Sequence, residues 1–217
     1  MRTIRVTGKG RLKLRPDMTR ITLTLEGASP DYGETLTRSA QETEQLRALL
    51  PGFGFAPDEL KTLSFNVDTE YEGYQEEGVY KQRFLGYRFR HELKLEFACD
   101  NDRLGRVLYA LANSAVRPEF RVSYTVADPE AAKNALLERA VSDAREKAGV
   151  LARAAGVELG MLQSVDYSWG EMALETRPMN RAVKLGAQAE AGASFDLDIV
   201  PDDIEVSDTV TVLWEIG

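Results

Sequence analysis

Histidine and cysteine, which often carry nucleophilic catalysis and metal binding, each occur once in this sequence, as His91 and Cys99. A single cysteine excludes an internal disulfide and any zinc site built from several thiolates. A catalytic thiol–imidazole pair needs its two side chains within about 3 Å, whereas eight residues of one extended strand span about 26 Å. We therefore predict that His91 is a core histidine with one hydrogen-bonded nitrogen. We expect Cys99 to be a small buried hydrophobic residue.

Long apolar runs are also missing. No segment approaches the roughly 20 apolar residues of a membrane span, and the N-terminus lacks the features of a secretory signal. If Met1 is the native start, we expect a soluble cytoplasmic protein; the alternative is a periplasmic or secreted protein whose signal Met1 replaces. Basic residues number 27 against 35 acidic ones, which gives a net charge of -8. Such a charge repels phosphate backbones and anionic lipid, so we predict neither nucleic-acid binding nor membrane insertion.

The clearest pattern in the chain is an alternation of apolar and charged side chains over residues 87–97. The odd positions there are Tyr87, Phe89, His91, Leu93, Leu95 and Phe97. This two-residue period predicts a central or near-central strand with one face in the core and one in water. Similar patterns predict strands over 2–7, 12–28, 60–74, 120–126, 162–169 and 204–216.

Three other segments repeat apolar residues at three- and four-residue spacing, which predicts helices over 36–50, 102–114 and 129–155. Asp128 and Pro129 supply the cap and first position of the last helix, and Gly156 ends it. In the first helix the predicted inward residues are Leu36, Ala40, Thr43, Leu46, Leu49 and Leu50. In the last they are Leu136, Ala140, Ala144, Ala148, Leu151 and Ala155.

The order of these elements predicts an α+β fold, with an antiparallel or mixed sheet packed by helices. We expect one domain over 1–217. Two halves, 1–98 and 118–217, each contain a strand-helix-strand-strand series, and one extra short helix lies between them. Residues 170–200 are rich in alanine, glycine and charge, which predicts a long loop. We expect its stretch from about Glu171 to Ala193 to be mobile and to be the first site that a protease cuts.

Several segments together resemble a known bacterial family, the SIMPL-domain proteins. The resemblance rests on IRVTGKG, PDMTRITL, ELKT, LGYRF, AVSDAREKAGVLARAAGVELG and PDDIEV, which occur in the family's order. It implies an α+β domain, frequently exported in other members, with links to envelope or oxidative-stress phenotypes. It also implies assembly, because at least one member forms a large ring-like oligomer. The family brings no catalytic residues to this chain.

Two further patterns are candidates for binding sites. Carboxylates cluster at Asp196, Asp198, Asp202, Asp203, Glu205 and Asp208, but their spacing is not that of an EF-hand, and a solvated strand edge is the interpretation we favour. The segments Gly8-Lys9-Gly10 and Gly52-Phe53-Gly54 lack the Lys-Ser or Lys-Thr of a phosphate loop. They indicate a strand bulge and a helix-terminating turn. For Phe53 and Phe55 in that turn we favour packing under the sheet over the alternative of exposed contacts. The sequence thus predicts no catalytic, cofactor-binding or metal-binding residues.

Residues 1–15 carry basic charge alone, at Arg2, Arg5, Lys9, Arg11, Lys13 and Arg15. They form either a solvated face or a contact for an acidic surface of the same protein, such as Glu70, Glu72, Glu76 and Glu77. The second interpretation predicts a homo-oligomer that loosens as salt screens its charges.

The leading functional interpretation is a non-enzymatic protein that acts by self-assembly or by binding a protein partner of unknown identity. Two alternatives stay open. One is a small-molecule or metal-binding module that uses the 170–200 loop. The other is an enzyme with a pair of carboxylates of split acidity.

Overall fold

The computed structural model describes residues 2–167, 174–176 and 199–217. In chain order they form β1 (Arg2–Leu14), β2 (Met18–Ser29), α1 (Tyr32–Leu49), β3 (Lys61–Glu76), β4 (Val79–Ala98), α2 (Asn101–Asn113), β5 (Glu119–Thr125), α3 (Pro129–Ala154), β6 (Leu159–Asp166), β7 (Glu175–Thr176) and β8 (Ile204–Ile216). This combination of helices with antiparallel sheets confirms the predicted α+β class. The predicted strand-helix-strand-strand order recurs along the chain, with α2 as the extra short helix.

The chain divides into two compact units. The first comprises Met1–Asp17, Thr125–Thr176 and Pro201–Gly217, and the second Met18–Tyr124 and Arg177–Val200. That 1–217 folds as a single domain stays a prediction. Most of the loop predicted at 170–200 lies outside the described residues, so its expected mobility stays a prediction. The described part of that segment includes the short strand β7.

In the first unit, α3 packs on an antiparallel sheet of order β1-β8-β6. The buried row of α3 is Ala132, Leu136, Ala140, Ala144, Ala148 and Ala152. The prediction was wrong for Leu151, which is 50% exposed, and for Ala155. The row keeps a strict four-residue spacing along the helix, and this spacing brings Ala152 rather than its neighbour onto the sheet.

Gly8 and Gly10 explain how closely α3 approaches β1. A Cβ atom on Gly8 would lie 2.0 Å from the Ala140 carbonyl oxygen, and one on Gly10 would lie 2.1 Å from that of Leu136. The strand bulge predicted for this segment is therefore wrong, since β1 pairs with β8 in one unbroken register. The two glycines are there because the helix backbone occupies the space of their side chains.

The second unit is built around a larger sheet, in which its own strands have the order β3-β4-β2-β5. The prediction for residues 87–97 is confirmed: β4 lies between two strands, with Phe89, Leu93 and Leu95 buried and Arg88 and Arg90 exposed. The core continues through α2, which is capped by Asp100 and buries Leu104, Val107, Leu108 and Leu111.

The inward face of α1 is polar at its N-terminal end, contrary to the prediction. Thr35 and Ser39 are buried together with Thr43, which was predicted to face inward, whereas Leu36 is 37% exposed. Burial is tolerated because the hydroxyls of Thr35 and Thr43 donate to the helix carbonyl oxygens of Asp31 and Ser39, each at 2.8 Å. Asp31 starts the helix by accepting from the Glu34 backbone N–H.

Strands β3 and β4 extend past the end of β2. The pairing of β2 with β4 stops at Ser29 and Tyr87, whereas β3 and β4 remain paired to Glu76 and Val79. Residues 70–86 therefore form a two-stranded projection, which we call the hairpin arm. Its tip is a two-residue turn at Glu77 and Gly78, with φ of 53° and 77°, and glycine is favoured at the second of these positions.

Candidate binding surface

One face of the hairpin arm is aromatic. Tyr71 pairs with Phe84 across the two strands, with their rings edge to face at 5.6 Å. Tyr80 lies on the same face, and its hydroxyl occupies the space above Gly73, where a Cβ atom would lie 1.9 Å from the oxygen. The series continues toward the core, since Phe84 contacts Tyr87 at 5.4 Å and Tyr87 contacts Tyr32 at 5.2 Å.

These aromatic side chains are open to solvent despite their size. Tyr80 is 68% exposed, Tyr71 54% and Phe84 46%. Contiguous exposed apolar surface on a folded protein commonly marks an interaction site. We call Tyr71, Tyr80 and Phe84 the aromatic face of the arm.

The opposite face of the arm carries ion pairs. Lys81 pairs with Glu76 at 2.6 Å, Arg83 pairs with Glu72, and at the base of the arm Arg88 pairs with Glu70. The hydrogen bond to Glu70 raises the pKa of Arg88 above its ordinary value. Each pair joins neighbouring strands, so this face is charged but locally neutral.

The pairing inside the arm changes the argument for charge complementarity. Glu70, Glu72 and Glu76, expected to face the basic residues of another copy, are already paired within their own hairpin. On β1 the basic residues at odd positions are exposed as predicted, and Lys13 lies 3.4 Å from Asp203 and 3.8 Å from Glu205. Opposite charge on these two segments is therefore a weaker argument for self-association than the sequence suggested.

Sequence reasoning missed the aromatic face because the alternation changes parity within β4. The register of β3 and β4 shifts between Glu70 and Tyr71, which leaves Leu85 as an extra residue. Phe84 and Tyr80, at even positions, thereby share a face with Tyr87 and Phe89, at odd positions. The only signal in the sequence is the density of aromatic residues on both sides of the turn.

His91 is half-buried between α1 and β3. Its Nε2 is 2.9 Å from the Thr62 hydroxyl, and its Nδ1 is 3.2 Å from that of Thr43 and 3.4 Å from that of Ser39. Both nitrogens therefore have partners, where the sequence predicted one. Burial lowers the pKa of His91, and the positive charge of Arg47 lowers it further. A neutral imidazole can accept a hydrogen bond at one ring nitrogen and donate one from the other, so these hydroxyls satisfy both of its polar atoms.

Cys99 is exposed, so the prediction of a buried hydrophobic residue was wrong. It comes just after the end of β4, where the chain leaves the sheet, and the Thr19 hydroxyl donates to its sulfur at 3.7 Å. β4 continues without a break from His91 to Ala98. The strand length thus keeps the thiol about 26 Å from the imidazole.

The remaining predicted features lie as follows. Within the described ranges, no group of three histidine, cysteine or carboxylate side chains is arranged to hold a metal ion. Asp196 and Asp198 lie outside those ranges, and Asp208 accepts a hydrogen bond from the Tyr167 hydroxyl at 2.9 Å. Phe55 is buried and Phe53 packs against the same core, as predicted, and Gly54 ends the turn with a φ of 76°.

In the part of the chain that the structure describes, no helix combines the length and apolarity needed to cross a bilayer.

Comparison with known proteins gives two matches. A family model described as SIMPL, a protein of unknown function (DUF541), matches residues 4–214. An uncharacterised protein named YggE from Edwardsiella ictaluri (strain 93-146) is 25% identical over 204 residues, which are 93% of this chain and 82% of the relative. Neither description names an activity, a ligand or a partner.

Proposed function

Because this chain belongs to the SIMPL family, whose description names no activity, we propose from its own geometry that it acts by associating with a second copy through the aromatic face of the hairpin arm. The match to the family model confirms the family resemblance that the sequence motifs indicated. In this proposal the protein has no catalytic role. The observation that carries it is the row of exposed aromatic rings on a projection two strands wide.

The physical gain from covering this face comes from apolar burial. Removing apolar surface from water contributes about 25 cal/mol per Å², and tyrosine is among the residues that dominate interface energies. A two-stranded ribbon without further packing is also marginal in water. A partner that covers Tyr71, Tyr80 and Phe84 would therefore stabilise the arm as well as the complex.

The charges of the arm favour a second copy as that partner. The whole chain carries a net charge of -8, which opposes association of identical molecules. On the arm, however, Glu72 and Glu76 are neutralised by Arg83 and Lys81 of the same hairpin. Two arms can thus meet aromatic face to aromatic face in an isologous contact, while their charged faces stay in water.

The mass of the protein in solution tests this proposal. Size exclusion coupled to light scattering, over a series of concentrations, should give species heavier than the 24.1 kDa chain. Replacing Tyr80 by Ser should shift the distribution toward the single chain, because it removes the most exposed ring of the aromatic face. A monomer at every concentration in the unaltered protein would refute the proposal.

Tyr74 supplies a matched control. It lies on the same arm and is 39% exposed, but it pairs with Lys81 on the charged face. Tyr74→Ser removes the same atoms from the same ribbon, so it should leave the mass distribution unchanged. If both variants dissociate equally, the effect comes from arm stability and the aromatic face is not the interface.

A further inference from the structure

A cationic cavity lies in the first unit, between β1, β8 and α3. It has a volume of about 550 Å³ and is lined by Lys9, Arg11, Lys13, Arg139, Glu205 and Ser207, with Leu12 and Val206 beside them. Four basic side chains thus share one cavity with a single carboxylate. Pockets of roughly 300–1,000 Å³ accommodate small-molecule ligands.

The backbone explains why these cations converge. Alternate residues of a strand point to the same side about 6.6 Å apart, which brings Lys9, Arg11 and Lys13 together along β1. Gly10 lets α3 approach the strand, and Arg139 of that helix donates from a terminal guanidinium nitrogen to the Arg11 carbonyl oxygen at 2.8 Å. The guanidinium group of Arg139 is thereby held at the Arg11 backbone, where it lines the same cavity as the side chains of β1.

Nearby carboxylates leave much of this charge unbalanced. Asp203 and Glu205 both lie near the Lys13 ammonium group. Asp143 accepts from the Lys147 ammonium group and from the Lys9 backbone N–H, each at 2.7 Å. Within the described residues, no ion pair of 4.0 Å or less involves the side chains of Lys9, Arg11 or Arg139, although the charge of Arg11 acts at longer range on Asp143.

We infer that this cavity binds a small phosphorylated molecule. Guanidinium groups pair with phosphate oxygens through two parallel hydrogen bonds, and a lysine adds a mobile point charge. The Ser207 hydroxyl supplies a neutral donor, and Leu12 and Val206 offer apolar surface to the organic part of the ligand. This site is independent of the proposed association, since its residues belong to the other unit.

Pyrophosphate is the first probe, measured by isothermal titration calorimetry on the full chain at low ionic strength. Arg11→Gln and Arg139→Gln should each weaken its binding about 10-fold or more, as expected when a charged hydrogen bond is lost. Arg139→Lys should restore part of the affinity, because it keeps the charge and loses the planar fork. Absence of pyrophosphate binding to the unaltered protein would overturn the inference.

Arg5 is the matched control. It lies on β1 at the same parity as Arg11 and is exposed, but it does not line the cavity. Arg5→Gln changes the net charge equally, so it should alter pyrophosphate affinity by less than about twofold if binding is local rather than diffuse. Equal weakening by Arg5→Gln and Arg11→Gln would show nonspecific attraction and overturn the site.

A second pair of probes tests the class of ligand. Ribose 5-phosphate should bind more tightly than inorganic phosphate, because only the sugar phosphate reaches Leu12 and Val206. Citrate carries comparable charge on carboxylates and should bind more weakly than pyrophosphate. Citrate binding as tight as that of pyrophosphate would overturn the assignment to phosphate. Melting curves of each variant without ligand establish that the fold is intact.

Discussion

His91 shows how one titratable residue couples stability to pH. Its pKa is lowered in the folded protein from an ordinary value of 6.5, by burial and then by Arg47. The unfolded chain therefore binds a proton more readily than the folded one. The stabilising contribution is fully present above pH 6.5 and is lost as the pH falls through the folded pKa.

Replacing His91 by Gln should flatten this part of the pH profile. We expect the melting temperature of the unaltered protein to drop between about pH 8 and about pH 5 by more than that of His91→Gln. Differential scanning calorimetry at the two pH values measures the difference. An equal drop in both proteins would mean that other groups control the stability in this range.

Tyr124 is a second residue with an unusual environment. It is 1% exposed, and its hydroxyl has no hydrogen-bond partner among the described residues. Burial, with a smaller effect of Cys99, raises its pKa to about 12. Replacement by Phe should thus leave the free energy of unfolding unchanged or raise it, since an unsatisfied buried hydroxyl costs about 1–3 kcal/mol. A lower free energy of unfolding for Tyr124→Phe in urea titrations would contradict this prediction and reveal a hydrogen bond at this oxygen.

At the scale of single residues, the sequence predicted burial where the pattern was regular. Leu93 and Leu95 follow from the alternation in β4. Cys99 does not, because the strand ends one residue before it and the alternation no longer determines its side. The sequence also did not predict that both ring nitrogens of His91 have hydrogen-bond partners, because one partner, Thr62, lies on a neighbouring strand.

Among the elements, α3 and β1 depend on each other through glycine. Gly10→Ala should lower the free energy of unfolding by about 1–3 kcal/mol, since the new methyl group meets the helix backbone rather than a movable side chain. Gly149→Ala, within α3, should raise it by about 0.5–1 kcal/mol, because its Cβ meets no atom within 4 Å. Urea titrations of both variants give the two values. Opposite signs are the expected result, and a loss at both positions would contradict it.

Element bounds were largely predictable, and the faces of the elements less so. The ends of α3, predicted at residues 129 and 155, were correct to within one residue, because Asp128, Pro129 and Gly156 mark them. The buried face of α1 was missed because Thr35 and Ser39 are polar, and their hydroxyls make burial possible only through hydrogen bonds. The aromatic face of the arm was hidden by a single extra residue, which reverses the alternation on which strand prediction depends.

For the whole molecule, salt separates two causes of association. The Debye length falls from about 10 Å at 0.1 M salt to about 3 Å at 1 M. An oligomer held by charge would dissociate across this range. Because the acids of the arm are paired internally, we expect the heavier species to persist at 1 M salt. Light scattering at 0.1 M and 1 M salt decides between apolar and charged contacts as the cause of association. Dissociation at 1 M salt would show that charge is the main cause.

The contacts of α3 with β1 also protect the protein against aggregation. β1 is an edge strand, and the backbone groups of Lys9 and Arg11 that face away from β8 are bonded to Asp143 and Arg139. A foreign strand that adds to this edge has to displace a carboxylate and a guanidinium group from the helix. The segment from Lys9 to Arg11 is therefore a poor template for amyloid growth, even though it lies at the boundary of the sheet.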